Sequence, residues 1–326
     1  MLRRGNPVAS TAQIGIVVIG RNEGERFLAC LKSLAGFDGP LVYVDSGSTD
    51  GSVAAARDAG ASVVELDMAR PFTAARARNA GLAVLVDQGK PEFVQFIDGD
   101  CQLVPGWLET ASDYLATHEN AVAVAGRLRE CHPEKSVFNR LCDAEWKQPA
   151  GQVDAIGGIA MMRLDKVQAV GGFCETLVAG EEPELCLRLR REGGEIWRLE
   201  QDMALHDANM TRFSQWWRRS RRAGYAYAEG CAMHGAGPER HYVAELGRIL
   251  FWAGLLPVVI LALALIGGPW ARYALALYPL QVLRLVPRGG AERAFFLTLG
   301  KFPEMLGVLE YWVAGQLVGA RKRYEK

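Results

Sequence analysis

Phe93-Val94-Gln95-Phe96-Ile97-Asp98-Gly99-Asp100 is the stretch that decides the fold. It is an apolar run of strand length that ends in an acidic triplet. A buried strand ending in Asp-X-Asp sets carboxylates on the carboxyl edge of a sheet, the crevice where ligands of open α/β sheets bind. Hard carboxylate oxygens there suit Mg²⁺ or Mn²⁺, and such an ion commonly shares its coordination with phosphates. The triplet therefore predicts a metal–diphosphate site. Taken alone it also fits a solvated turn after a strand, so its neighbours have to decide.

Upstream, Ile14-Gly15-Ile16-Val17-Val18-Ile19 is a near-continuous apolar run, as in a strand buried on both faces. Leu41-Val42-Tyr43-Val44 and Ser62-Val63-Val64-Glu65-Leu66 read as further strands. Residues 25–34 carry Phe27, Leu28, Leu31 and Leu34 at helical spacing, and 52–59 and 73–86 also read as helices. The βαβαβ order implies a parallel sheet with right-handed crossovers, a nucleotide-binding layout. Downstream, 122–125 reads as a strand, and Gly157-Gly158 runs into the apolar residues 159–162. A helix over 164–170 is closed by Gly171-Gly172-Phe173. Gly180-Glu181-Glu182-Pro183-Glu184-Leu185 then opens another, with Pro183 suited to its first turn.

The last third changes character. Residues 249–271 contain no charge and are long enough to span a hydrocarbon core. A shorter apolar stretch, 273–283, follows the turn signal Gly267-Gly268-Pro269. Together they predict a membrane hairpin, with Arg240, Arg248, Arg284, Arg288 and Arg293 on the inner side. A buried helical subdomain is the alternative. Residues 294–320 carry one apolar stripe, through Phe295, Leu299, Phe302, Leu306, Leu309, Val313 and Leu317, with Pro303 starting or kinking the helix. Ahead of the basic tail Arg321-Lys322-Arg323, this helix fits either the membrane interface or a face packed on protein. The expected domains are therefore 1–235, then a linker and hairpin over 236–290, then an interfacial helix and tail over 291–326.

Bulk properties exclude more than they assign. The 326 residues balance 37 basic against 37 acidic side chains, so the total charge points to no polyanion partner. Seven scattered cysteines without a C-x-x-C pair argue against a disulfide framework or a structural zinc site and for a reducing compartment. Residues 1–13 lack the apolar core of a signal peptide, which places the first domain on the cytoplasmic side.

Asp98-Gly99-Asp100 gains its meaning from company. Arg21-Asn22-Glu23 follows the first strand, and Asp45-Ser46-Gly47-Ser48-Thr49-Asp50-Gly51 the second. Ala77-Arg78-Asn79-Ala80-Gly81, the triplet, Gly157-Gly158, Gly171-Gly172-Phe173 and the Glu181-Glu182 segment come next. In this order, over residues 12–230, the chain resembles family 2 glycosyltransferases with a GT-A fold, an α/β Rossmann-like mixed sheet. Its C-terminal segments resemble membrane-associated bacterial members that build exopolysaccharides such as succinoglycan.

The resemblance implies an inverting, metal-dependent transfer of a sugar. The donor would be a nucleotide diphospho-sugar, in the first instance a UDP-sugar, and the acceptor lipid-linked or a glycan, at the cytoplasmic face of the inner membrane. It implies Mn²⁺ or Mg²⁺ on Asp100, with Asp98 on the ribose or metal-bound water and His206 as a further ligand. It implies donor contacts from Asn22, Glu23, Asp45, Ser46, Arg78, Asn79, Asp98 and Gly99. Ser46 replaces the second Asp common in the family, and for Asp45 an Asx-turn role stays open. Glu182 stands where the family has a catalytic Asp, so it or Glu181 would be the base. The helix N-terminus favours an ionised carboxylate, whereas burial beside a second acid raises its pKa.

Gly157, Gly158, Trp217, Arg218 and Arg222 are the expected acceptor contacts. Arg218 and Arg222, four apart on a helix, suit a diphosphate or lipid pyrophosphate. The Gln-x-x-Arg-Trp motif of processive relatives has no match in 215–222, which favours transfer of a single sugar. No nucleic-acid surface is expected from so short a basic cluster. The alternatives are an inactive membrane-tethered binding subunit and an Asp-X-Asp phosphotransferase. Gln102, where dehalogenase-like enzymes carry Thr or Val, argues against the second.

Overall fold

The computed structural model describes residues 13–267 and 269–316. The signal-peptide reading of residues 1–12, the hairpin-tip residue Gly268, Leu317 and the basic tail lie outside these described residues. The chain divides into two compact units, residues up to 176 with 181–209, and residues 177–180 with 210 onward.

In the first unit the predicted alternation is present. It runs β1 (Ile14–Gly20), α1 (Glu25–Ser33), β2 (Leu41–Asp45), α2 (Ser52–Asp58), β3 (Ser62–Glu65), α3 (Ala74–Asp87) and β4 (Phe93–Asp98). The chain continues through β5 (Cys101–Leu103), α4 (Trp107–Thr117), β6 (Ala121–Glu130), α5 (Val137–Trp146), β7 (Gly151–Gln152) and β8 (Ala160–Arg163). It ends with α6 (Leu164–Ala169), α7 (Glu181–Arg191) and β9 (Glu195–His206). The sheet order is β3-β2-β1-β4-β8-β6-β9-β5, with β7 on β9.

β3, β2, β1 and β4 are parallel, as the crossovers require. Their register sets Gly20 opposite Asp45 and Ile19 opposite Asp98, so the loops that follow all leave from one edge. The parallel pairing of this first part ends there, and β8 runs antiparallel to β4 and β6. The result is a mixed sheet.

Local chemistry explains these elements. Thr73 caps α3 by accepting from the Arg76 N–H at 3.1 Å. Gly81 lets α3 approach the sheet so closely that a Cβ there would strike Val17. Gln95, in the middle of β4, is fully buried, and its Oε1 accepts from Trp107 Nε1 at 2.8 Å. The core gathers Val17, Val44, Phe96, Leu85 and Met161 on both faces of the sheet.

The second unit is helical. It contains α8 (Phe213–His234), α9 (Val243–Ile249), a π-helical turn (Leu250–Leu255), α10 (Leu256–Ile266), α11 (Trp270–Leu275), α12 (Leu277–Leu285), α13 (Gly290–Leu299) and α14 (Lys301–Gln316). α8 packs on α14 backbone to backbone at Gly224 and Gly307, where any Cβ would collide with the facing main chain. This contact groups 210–235 with the C-terminal helices, whereas composition placed a boundary at 235.

Among the described residues one helix, Val243–Ile266, is long and apolar enough to cross a membrane, with mean hydropathy 2.8 and few buried residues. Pro257 sits in the first turn of α10, after the π-helical turn that widens the helix around its missing donor. The second arm of the predicted hairpin is not established. Residues 270–285 are divided between the short helices α11 and α12. The single helix expected over 294–320 is likewise two, interrupted at Gly300. α14 buries Val308, with Met305 and Tyr311 beside it, and leaves the predicted stripe residues Leu306, Leu309 and Val313 outward.

Candidate active site

The carboxyl edge of the first unit begins with two interlocked loops. Asp45 is buried, and its carboxylate is held by its own loop. Oδ1 accepts from Tyr43 Oη at 2.9 Å, and Oδ2 from the Gly47 and Ser48 N–H groups at 2.8 Å each. This is the Asx-type turn that the sequence left open. Asn22, at φ 55°, stitches the first loop to the second. Its Oδ1 accepts from the Thr49 N–H at 2.7 Å, and its own N–H donates to Ser48 Oγ at 2.9 Å. Ser46 is buried beside Asp45, and its N–H donates to the Gly20 carbonyl. Asn79 has a similar structural task. Its amide clamps the Phe173 main chain, donating to the carbonyl and accepting from the N–H at 2.8 Å each.

The acidic triplet splits its two carboxylates. Gly99, whose N–H donates to the Ile19 carbonyl at 2.8 Å, turns the chain between them. Asp98 Oδ1 pairs with Arg78 Nη2 at 3.0 Å. Asp100 Oδ2 faces His206 Nε2 at 3.4 Å and Arg26 Nη1 at 3.7 Å. β5 pairs antiparallel with β9 and sets Cys101 directly opposite His206, which carries the histidine to the triplet.

Asp100, Cys101 and His206 each present a ligand atom, all within 4.8 Å of one another. Asp98 is outside that group because Arg78 holds it. Trp146 stacks flat on the His206 ring, at 4.5 Å between centroids. Nδ1 of this histidine finds no hydrogen-bond partner among the described residues. Burial lowers the His206 pKa, but Asp100, Asp98 and Glu130 outweigh it and the net shift is upward. The Cys101 thiol is pushed well above its ordinary value by burial and by Asp100 and Asp98, and it donates to Asp100 Oδ1 at 3.5 Å. A carboxylate and an imidazole are therefore the usable donors, and this set fits a divalent ion of the Mn²⁺ type.

The candidate base lies on the other side of Asp98. Arg78, on α3 and only 2% exposed, directs Nη1 at Glu181 Oε1 (2.9 Å) and Glu182 Oε1 (3.0 Å). Glu181 and Glu182 open α7, so the helix N-terminus does favour ionisation there. Burial and the neighbouring Glu181 prevail over it and over Arg78, and the Glu182 pKa is pushed up to about 7. Gly158 makes room for this cluster. A Cβ there would strike the Arg78 guanidinium and lie 2.7 Å from Glu182 Oε1. Gly157 is exposed.

The remaining acceptor candidates belong to the second unit. Arg218 is exposed on α8, Arg222 lies one turn on, and Trp217 packs beside Phe213 at 5.6 Å. Sequence reasoning missed several residues of the first unit. Arg26 donates to the Asp207 carbonyl at 3.0 Å and pairs with Glu23 as well as Asp100. Glu130 accepts from the Ala208 N–H at 3.0 Å and so anchors the loop after His206. The i,i+3 spacing of Glu23 and Arg26 was a usable signal. For Trp146 there was none, since only tertiary folding brings it to the histidine.

An acidic turn on the carboxyl edge of this mixed sheet, followed by helices, defines a GT-A domain. Residues 15–163 match the family described as Glycosyl transferase family 2. A mannosyltransferase from Pyrobaculum calidifontis, solved in complex with GDP-Man and Mn²⁺, has the same fold. It aligns at TM-score 0.65 and 17% identity over 91% of this chain and 87% of its own. The pre-mycofactocin glycosyltransferase of Mycobacterium tuberculosis is 27% identical over 228 residues, 64% of this chain and 45% of that protein. A TPR repeat-containing protein of Synechococcus elongatus is 32% identical over 105 residues, 32% of this chain and 25% of its own length. The chain thus aligns with less than half the length of each of these curated relatives.

Proposed function

We propose that the chain transfers one sugar from a nucleotide diphospho-sugar to a hydroxyl of a lipid-linked or glycan acceptor, with inversion at the anomeric carbon. The observation that carries this reading is a single buried arginine, Arg78, that joins Asp98 of the acidic turn to Glu182. A donor-side carboxylate and a proton acceptor with a pKa near the operating pH then belong to one cluster.

In this reading Glu182 takes the proton of the acceptor hydroxyl as its oxygen attacks the anomeric carbon. The bond from that carbon to the diphosphate breaks, and the nucleoside diphosphate leaves. Asp100 and His206 would hold a divalent ion, which when bound offsets the charge developing on the diphosphate. The loops fixed by Asp45 and Asn22 receive the nucleotide. The apolar helix Val243–Ile266 supports attachment to the inner membrane, and the flanking Arg240 and Arg248 favour a first unit on the cytoplasmic side. The narrower likeness to succinoglycan-type enzymes, and a place in exopolysaccharide or cell-envelope glycan synthesis, rest on these C-terminal helices.

The test is direct. The full chain in detergent with Mn²⁺ is offered UDP-sugars, GDP-mannose and polyprenyl phosphate acceptors, and products are read by mass spectrometry. A glycosylated acceptor that Glu182→Gln cannot form is expected, with donor binding retained. Consumption of no donor in the panel, or full transfer by Glu182→Gln, would overturn the reading.

A further inference from the structure

Arg78 was expected from the sequence to meet the donor's base or ribose. Its surroundings assign it other work. The guanidinium is buried, both terminal nitrogens end on carboxylates, and the Phe173 ring lies 5.5 Å from Cζ. We propose that Arg78 is the positioning residue of the base: it fixes Glu182 and Asp98 in one relation through the two ends of a single rigid fork. The proposal rests on the reading of Glu182 as base.

Three observations converge. Nη1 lies 2.9 Å from Glu181 and 3.0 Å from Glu182, while Nη2 lies 3.0 Å from Asp98, so one planar group spans α3, α7 and the end of β4. The space for it comes from Gly158, where a Cβ would displace both the guanidinium and Glu182. The charges also match this task. Glu182 faces Arg78 from α3, Asp98 from β4, and Glu181 and Cys186 from its own helix. Arg78 is the cation in that set, and together with a main-chain hydrogen bond at the helix N-terminus it opposes the rise that burial and the other acids impose on Glu182. Lysine cannot reproduce this, because a compact ammonium lacks the fork that holds separate carboxylates at once.

The experiment reads the base itself. Full-length protein in detergent, labelled with ¹³C at the glutamate carboxyl, is titrated by NMR, and the resonance missing from Glu182→Gln is followed. The wild-type midpoint is expected at about 7. Arg78→Met should move it upward by about one to three pH units, and Arg78→Lys upward by a smaller step. An unmoved midpoint in folded Arg78→Met overturns the proposal. Should that variant not fold, a wild-type midpoint in Arg78→Lys overturns it. Failure of both variants to fold also overturns it, since the guanidinium would then be holding the fold rather than the base. The same samples separate the two readings. Sugar transfer by Glu182→Gln would sink the base assignment while leaving the titration result in place.

Discussion

The two sides of the carboxyl edge are held together by different forces. On the β1–β2 side, Asp45 and Asn22 are fixed by neutral main-chain groups, each within its own or the adjoining loop. On the β4–α7 side, position depends on charge answering charge, with Arg78 among Asp98, Glu181 and Glu182, and Asp100 between Arg26 and His206. Hydrogen bonds from neutral main-chain donors need no opposite charge to hold their geometry. An ionic cluster keeps its geometry only while its protonation and its full set of partners persist. The first side is a preformed rim, and the second is where substitution, pH and metal should act.

The contrast breaks most severely at Asp100. Asp100→Asn removes the one anionic donor of the candidate metal group, and Mn²⁺-dependent transfer should fall on the order of a thousandfold. Initial rates across a Mn²⁺ titration measure this, and normal turnover would take the triplet out of the mechanism. Gly158→Ala comes next. The added methyl meets Arg78 and Glu182, so a stability loss of about 1–3 kcal/mol by denaturant unfolding should accompany lost transfer.

The pH profile probes the same side without mutation. A base works deprotonated, and the Glu182 pKa is raised to about 7. The rate should therefore be flat above that value and fall about tenfold per unit below it. A profile flat from pH 5 to 8 would exclude Glu182 as the titrating base. The rim should respond least. Asp45→Asn can keep its oxygen on the Gly47 and Ser48 N–H groups and turn its amide to the Tyr43 hydroxyl, so it should cost no more than about 1 kcal/mol in stability and leave the pH profile unmoved. A shifted profile would erase the distinction between the two sides.

Legibility in the sequence follows the same division. The elements from β1 to β4 were readable, because the buried strands β1, β2 and β4 announce themselves as apolar runs and the helices between them by their spacing. β5 and β9 carried no such signal. β5 has only three residues, and β9 mixes charged and apolar positions under the bulged pairing with β6. Arg78 was identified as functional from its neighbours in the chain, but its partners come from α7 and β4. No local pattern could place it between them. The second arm of the hairpin is not established for a related reason. Hydropathy counted the apolar residues 273–283 without registering the break at Ala276 that divides them between two short helices.

The ladder between β5 and β9 has a consequence for how the protein is assembled. Between Cys101 and its ladder partner His206 the chain runs through β6, β8 and α7 before it returns along β9. Contacts so distant in sequence are closed late, because the loop must be ordered before the pairing rewards it. A nascent chain that has emerged only as far as α7 therefore contains the whole acidic triplet without its histidine. Metal capture by Asp100 and His206 together would then act as a stamp of completion, given to chains whose sheet has closed and withheld from those still open.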